Sequence, residues 1–206
     1  MKRLFDMMTA LIGIIILAIP MLLIAVLVRL TSKGPALYWS DRVGKDNRVF
    51  RMPKFRSMKV DAPEMGMHLI RDATRSCVTP FGSFLRKTSL DEFPQLWSIL
   101  IGHMSFVGPR PVLPNEEVLV ALRSMHKIHT IRPGLTGWAQ INGRAQIPVN
   151  EKVQLDAEYL NRQSLMFDLN ILFRTALKVV VRSHVGRDEA KICQDETAPQ
   201  KPTKLN

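Results

Sequence analysis

Two adjacent carboxylates, Asp91 and Glu92, lie in a stretch of the chain that is rich in basic residues. Arg86 lies just upstream of them, and Arg110 follows in the run Gly108-Pro109-Arg110-Pro111. An Asp-Glu pair by itself is usually a helix cap or a surface feature. Cations around the pair favour a phosphate site, because guanidinium groups bind phosphate oxygens while a carboxylate holds Mg²⁺ or attacks phosphorus.

Arg110 has a proline on each side, which restricts its backbone and would hold the guanidinium ready for a ligand at little entropic cost. A plain surface turn is the alternative. Lys54 and Arg56 add two further cations after a predicted strand. Two roles are open for Lys54 and Arg56: they contact a lipid phosphate, or they support the fold.

Other catalytic classes lack their motifs. The sequence contains no HExxH, GxxxxGK[ST], GxSxG or GxGxxG, so the residues of zinc proteases, P-loop enzymes, serine hydrolases and dinucleotide-binding folds are missing. His126 and His129 are three positions apart on a predicted helix, but without an evident third ligand they are more simply surface residues. Two cysteines are too few for a disulfide framework or a Cys-rich zinc site.

The net charge of the 206-residue chain is +11, from 29 Lys and Arg against 18 Asp and Glu. Such an excess favours a negatively charged partner: nucleic acid, anionic lipid headgroups or phosphorylated substrates. The length fits one domain of ordinary size.

The N-terminal segment is long and apolar enough to enter a membrane. No charged residue lies from Met7 to Val28, and a helix of that length reaches about 33 Å at about 1.5 Å per residue. A cleaved signal peptide fits poorly because no small-residue cleavage site follows. Basic residues on both flanks favour a cytoplasmic position for both ends. They are Lys2, Arg3, Arg29 and Lys33.

Pro20 lies in the middle of this segment, where it removes a backbone donor and kinks a helix. We therefore predict a re-entrant hairpin that enters one leaflet and returns. A tilted, kinked helix that spans the bilayer is the alternative, and the residues alone fit both about equally.

Turn formers and hydrophobic spacing predict short strands and amphipathic helices in the rest of the chain. The strands are placed at Ala36–Ser40 and Arg48–Phe55, and Ser89 is placed as the cap of a helix that begins at the carboxylate pair. The stretch Pro133–Arg144 is predicted to be irregular. Further helices are predicted at Glu116–His129, Asn150–Asn161 and Asp168–Val181.

Five ordered blocks of sequence together resemble the bacterial sugar transferases, the monotopic polyprenyl-phosphate phosphoglycosyl transferases, over about residues 2–184. Any one block would be weak evidence, but the set in this order is highly specific. The size resembles that of the smallest members, which have the catalytic domain without an additional multi-spanning region. The blocks are Lys2–Asp6, Lys54–Met58, Leu85–Leu96, Ser105–Pro111 and Arg132–Arg144.

The resemblance implies an enzyme that transfers a sugar-1-phosphate from a UDP-sugar to undecaprenyl phosphate and releases UMP, at the start of capsule, O-antigen, exopolysaccharide or glycoprotein glycan assembly. It also implies contact with lipid of the bacterial inner membrane, with the catalytic domain on the cytoplasmic face and a re-entrant helix. One departure is Ile19, because the family usually has serine before the proline that corresponds to Pro20. A serine hydroxyl would satisfy a freed carbonyl in lipid, whereas isoleucine cannot.

Carried over by residue, the resemblance makes Asp91 the nucleophile that attacks the β-phosphorus and forms an aspartyl phosphosugar. Glu92 would help Asp91 hold Mg²⁺ or set the protonation of its neighbour. Arg86 and Arg110 would bind the phosphates. Arg144 and the backbone of the stretch before it would bind nucleotide or phosphate, with a structural loop beneath the site as the alternative.

These predictions combine into an α/β fold that is mainly helical. A re-entrant membrane helix (1–33) precedes a phosphoglycosyl transferase domain with short strands and amphipathic interfacial helices (34–185), and a disordered tail (186–206) follows. The alternative function is a membrane-tethered basic module that binds anionic lipid or nucleic acid without catalysis. Grouping of the cations around one acidic pair argues against that module and against nucleic acid as a partner. The sequence leaves a homo-oligomer open.

Overall fold

The computed structural model describes residues 1–60, 77–143 and 148–178, and 61% of them are helical, in agreement with the predicted class. The helices are α1 (Lys2–Thr31), α2 (Pro80–Thr88), α3 (Gln95–Ile101), α4 (Glu117–Met125), α5 (Trp138–Asn142), α6 (Val149–Arg162) and α7 (165–178). The strands are β1 (Leu37–Val43), β2 (Val49–Phe55), β3 (Ser105–Val107) and β4 (Gly134–Thr136). The tail predicted for 186–206 lies outside the described residues.

Strands β1 and β2 lie at the two predicted strand positions, with β1 ending at Val43 rather than at Ser40, and they form an antiparallel hairpin in which Val43 lies opposite Val49 and Leu37 opposite Phe55. The connecting turn includes Asp46 and Asn47, both with positive φ, a conformation that short polar side chains tolerate. Because side chains alternate between the two faces of a strand, this register puts Arg42, Met52 and Lys54 on one face. That face lies toward the carboxylate pair, since all three residues line a cleft beside Glu92.

Helix α2 is held against the end of β2 and leads directly to the carboxylate pair. Thr79 caps it by accepting a hydrogen bond from the Gly82 backbone N–H at 3.0 Å. Gly82 passes so close to the Ser57 backbone that a Cβ there would lie 2.0 Å from the Ser57 carbonyl oxygen. This contact fixes the direction in which α2 presents its last turn.

Ser89 precedes the short 3₁₀ turn that carries the two carboxylates, but its side chain does not cap that turn as the sequence predicted. It ends α2 in the left-handed conformation, with φ of 58°, and its side chain makes no capping hydrogen bond. The two carboxylates lie in a short 3₁₀ turn, Leu90–Glu92, between α2 and α3.

The stretch predicted to be irregular is in fact ordered as β4 and α5 over its described part. Strand β4 pairs in parallel with β3, and the Gly108 N–H donates to the Thr136 carbonyl at 2.9 Å. Gly134 also lies against Gly108, where an added Cβ would come within 2.1 Å of the Gly108 nitrogen. Glycine is needed here because two backbones touch, so the glycines mark a close approach rather than a loop.

The inward face of α1 belongs to the core of the protein. Near its start, Ala10 packs with residues of β2 and α3, including Met52 and Leu96. Near its end, Ile24 and Val28 pack in a second cluster with Phe55 and Leu85. Burying each such aliphatic side chain contributes about 1.5–3 kcal/mol.

Polar contacts fix the first turns of α1 to the same body. The Lys2 ammonium forms an ion pair with the Asp168 carboxylate of α7. Arg3 donates to the carbonyls of Ile99 and Leu100 at the end of α3, and the Asp6 carboxylate accepts from the Phe106 backbone N–H at 3.3 Å. Both ends of α1 are therefore bound to one globular unit.

The re-entrant break at Pro20 is not confirmed. Helix α1 is continuous from Lys2 to Thr31, with Pro20 inside it. It is long and apolar enough to cross a membrane, with a mean hydropathy of 3.2 over an 18-residue window of which only 11% is buried. The helix thus presents an apolar outer face, whose most exposed members include Ile15, Ile16, Ile19 and Leu22.

Candidate active site

Asp91 is the more deeply buried of the two adjacent carboxylates, with 9% of its surface exposed. Burial raises the pKa of its carboxyl group, and the charge of Glu92 raises it further. The positive charges of Lys54 and Arg86 act in the opposite direction and lower this pKa. Ionisation of Asp91, which a nucleophilic role requires, therefore costs free energy in the protein without substrate. Nearby cations determine what fraction of Asp91 is ionised.

Glu92 brings two of the predicted cations together. Its Oε1 atom lies 3.3 Å from the Lys54 ammonium and 3.7 Å from the Arg110 guanidinium. Burial lowers the pKa of Lys54, while the charge of Glu92 raises it. Glu92 thus holds Lys54 and Arg110 on its own side of the carboxylate pair, where they can neutralise a phosphate group.

The backbone of Arg110 is fixed by a buried ion pair between α4 and α6. The Arg123 guanidinium donates to the Arg110 carbonyl at 2.8 Å and to the Asp156 carboxylate at 2.6 Å and 3.1 Å. Arg123 is 7% exposed and Asp156 is 1% exposed. The Pro-Arg-Pro segment is consequently anchored through its main chain, which leaves the Arg110 side chain available to a ligand.

The carboxylate pair offers oxygen atoms of the kind that bind Mg²⁺. This ion prefers oxygen ligands and is commonly held by one or two carboxylates together with substrate phosphates. Asp91 and Glu92 supply such oxygens, and no group of three or more metal-ligating side chains occurs within the described ranges.

The other predicted site residues that the structure describes, Arg86 and Arg56, differ in where they lie relative to the carboxylate pair. Arg86, in the last turn of α2, is close enough to influence the charge of Asp91. Arg56 instead donates to the Pro35 carbonyl at 3.0 Å and so braces the segment that follows α1. Arg144 lies outside the described residues, and its role stays a prediction.

The described part of Pro133–Arg144 lies beneath the Pro-Arg-Pro segment. The Gly134 backbone N–H donates to the Pro109 carbonyl at 2.9 Å. Gly134 and Leu135 also line the cleft beside Glu92, so both alternatives for this stretch stay open. A contact of this stretch with nucleotide stays a prediction.

Sequence reasoning missed two residues that line the same cleft, Arg42 and Gln95. Arg42 could have been found from the hairpin register, because the turn at 44–47 places it on the face that carries Lys54. Gln95 follows Glu92 by three positions, but nothing in the sequence distinguishes it from an ordinary surface residue. The Arg123–Asp156 pair was missed because it joins two separate helices.

Residues 1–182 match the family described as bacterial sugar transferase. The chain belongs to the bacterial sugar transferase family. The resemblance carried by the five sequence blocks is thereby confirmed at the level of the family.

The relatives of this bacterial sugar transferase include long and short proteins. This chain is 39% identical over 187 residues to the UDP-glucose:undecaprenyl-phosphate glucose-1-phosphate transferase of Escherichia coli (strain K12). The match covers 86% of this chain and 40% of the relative. This chain is 38% identical over 181 residues to the uncharacterized sugar transferase EpsL of Bacillus subtilis (strain 168), over 88% of both chains. The exopolysaccharide production protein PSS of Rhizobium leguminosarum bv. phaseoli is 33% identical over 197 residues, which are 96% of its length. The chain thus spans about two fifths of some relatives, such as the E. coli protein at 40%, and most of others.

Proposed function

We propose that this protein transfers a sugar-1-phosphate from a UDP-sugar to undecaprenyl phosphate, with release of UMP, in the assembly of a bacterial polysaccharide. The observation that carries the proposal is a buried Asp91 carboxylate near Lys54 and Arg86, next to a Glu92 carboxylate that contacts Lys54 and Arg110. The name of the E. coli relative specifies UDP-glucose and undecaprenyl phosphate as the substrates of that protein. The name of the Rhizobium relative refers to exopolysaccharide production.

In the first half-reaction, an Asp91 carboxylate oxygen attacks the β-phosphorus of the UDP-sugar. The bond between the β-phosphorus and the bridging oxygen breaks, and UMP leaves with that oxygen and its electron pair. A carboxylate is repelled by a dianionic diphosphate, so Lys54 and Arg110 lower the barrier by neutralising that charge. Mg²⁺ held by Asp91 and Glu92 would supply further positive charge at the phosphates.

In the second half-reaction, a phosphate oxygen of undecaprenyl phosphate attacks the same phosphorus. The bond to the Asp91 oxygen breaks, which restores the carboxylate and yields a lipid-linked diphosphate sugar. A covalent intermediate lets one site serve a soluble and a lipid-bound substrate in turn. The two phosphate-bearing substrates need not be bound together.

UMP release tests this function directly. Purified protein with undecaprenyl phosphate and a panel of UDP-sugars should release UMP with at least one sugar, measured by chromatography. EDTA should lower the rate about 100-fold or more, and added Mg²⁺ should restore it. Undiminished turnover without metal would contradict the role of Mg²⁺. Lipid binding without UMP release from any sugar would favour the basic module instead.

We also propose that α1 lies at one leaflet of the inner membrane, with the domain on the cytoplasmic side. Both ends of the helix contact the same polar body, through Lys2 and Arg3 at one end and Val28 at the other. A helix that crossed the bilayer would carry one of these contacts through the hydrocarbon, where charged groups are costly. Other apolar side chains exposed near α1 add to the surface for lipid. They are Phe84, Trp97 and Ile101.

Cysteine labelling tests this placement. In a Cys77→Ser, Cys193→Ser background, a single cysteine is added ahead of Met1 or introduced as Lys33→Cys. Both positions should react with an impermeant maleimide in inverted inner-membrane vesicles, and neither should react in intact spheroplasts. Asp46→Cys, in the exposed hairpin turn, serves as the reference for the domain side. Labelling of the two ends from opposite sides would show that α1 spans the bilayer.

A further inference from the structure

Two buried N–H groups beside the carboxylate pair have no hydrogen-bond partner within residues 1–60, 77–143 and 148–178. They are Nε of Arg42 and Nε2 of Gln95, and Gln95 is only 2% exposed. Buried donors are nearly always paired in native proteins, because an unpaired one loses its hydration without compensation. Two such donors beside a candidate active site point to an atom that a ligand supplies.

Arg42 and Gln95 both line one cleft that opens to solvent. Lys54, Arg110 and Glu92 line the same cleft, so three positive side chains face one carboxylate. The remaining positive charge disfavours a cation or a neutral carbonyl as the occupant. It favours an oxygen that carries negative charge and accepts hydrogen bonds.

The cations in this cleft repel one another. Burial lowers the pKa of Arg42, and the charge of Arg110 lowers it further, whereas Glu116 and Glu92 raise it. An anion in the cleft would relieve this repulsion, and in its absence the protein bears the electrostatic cost.

The donors are held by separate elements and are therefore arranged before a ligand arrives. Arg42 is fixed opposite Phe50 in the hairpin, and Gln95 is the first residue of α3. Arg110 is anchored through the hydrogen bond from Arg123 to its carbonyl. Little conformational entropy would be lost when a phosphate oxygen binds between them.

We infer that Arg42 and Gln95 form a subsite for a phosphate oxygen on the Glu92 side of the carboxylate pair. The identity of the phosphate rests on the proposed function: it belongs either to the UMP portion of the UDP-sugar or to undecaprenyl phosphate. In both cases the phosphate oxygen accepts hydrogen bonds from the two unpaired N–H groups, and Lys54 and Arg110 balance its charge.

Two variants test the subsite. Gln95→Met keeps the length of the side chain and removes its donor, and Arg42→Lys keeps the charge but removes Nε–H. Arg51→Lys, at an exposed position of the same hairpin, is the matched control. Melting temperatures are measured without ligand, with UMP and with inorganic phosphate. Adduct formation from labelled UDP-sugars and its discharge by undecaprenyl phosphate are timed as separate half-reactions.

Without ligand, Gln95→Met should melt at the wild-type temperature or higher, because it removes an unpaired buried donor. Stabilisation by phosphate should be lost in Gln95→Met and Arg42→Lys and kept in Arg51→Lys. One half-reaction should slow about 10- to 100-fold, as expected for lost hydrogen bonds to a charged group. A slower first half-reaction with weaker UMP binding assigns the phosphate to the UDP-sugar, whereas a slower second half-reaction assigns it to undecaprenyl phosphate.

The inference is overturned if both variants bind phosphate and complete both half-reactions as the wild type does. It is also overturned if Gln95→Met melts lower without ligand yet responds normally to phosphate, since Gln95 would then be a packing residue. Failure of the wild type to release UMP would count against the proposed function alone. The phosphate-binding comparison would still decide the subsite.

Discussion

Asp91→Asn should abolish UMP release and the phosphosugar adduct without weakening the fold. The amide keeps the shape of the carboxyl group but is not a nucleophile, so the rate should fall about 10⁴-fold or more. The adduct is measured by mass spectrometry after incubation with a UDP-sugar alone. Asp41→Asn, at an exposed position of β1, should leave both measurements unchanged.

The same variant should be at least as stable as the wild type, and the comparison should depend on pH. Because burial raises the pKa of Asp91 in the folded state, ionisation of this group opposes folding. Relative to Asp91→Asn, the wild type should therefore lose stability as pH rises from the ordinary carboxyl range through that raised pKa. Melting temperatures of both proteins between about pH 4 and pH 8 test this. Normal turnover, or a variant less stable at every pH, would refute the assigned role of Asp91.

Arg110→Lys should reduce kcat/KM about 10²- to 10³-fold while the melting temperature stays close to that of the wild type. Lysine keeps the positive charge but lacks the planar fork that binds two phosphate oxygens at once. The anchor of this segment is the Arg110 carbonyl, which accepts from Arg123, and the substitution does not alter it. Steady-state kinetics with varied UDP-sugar and a thermal melt provide the two measurements.

Arg51→Lys is the matched control for this substitution, because Arg51 is exposed on β2 and does not line the cleft. An unchanged rate for Arg110→Lys would make Arg110 a surface-turn residue. A strongly lowered melting temperature would show that its side chain supports the fold. Either result would remove the guanidinium from the proposed mechanism.

The parts of the fold set by short-range patterns were predictable from the sequence. The β1–β2 hairpin follows from alternating residues around a turn of Asp46 and Asn47, and α6 follows from helical spacing. The capping role of Ser89 was predicted from residue type, because serine before acidic residues suits a helix start. In the structure Ser89 instead ends α2 in the left-handed conformation, with its backbone N–H donating to the Arg86 carbonyl.

Features of the site that depend on distant contacts were not predictable in the same way. The Asp91–Glu92 pair and Arg110 stand out by residue type, and the structure does bring Arg110 to Glu92. By contrast, β4 gains its order from pairing with β3, about 30 residues earlier, so its glycines resembled those of a loop. Arg42 became visible only through the hairpin register.

The ion pair between Lys2 and Asp168 joins positions that are 166 residues apart, and this has a consequence for how the protein is made. Lys2 is synthesised roughly 10–30 s before Asp168, at about 5–20 residues per second. During that interval the Lys2 ammonium lacks the carboxylate with which it pairs in the folded protein. Nascent chains stopped before residue 168 should therefore lack the contact that secures the front of the helix.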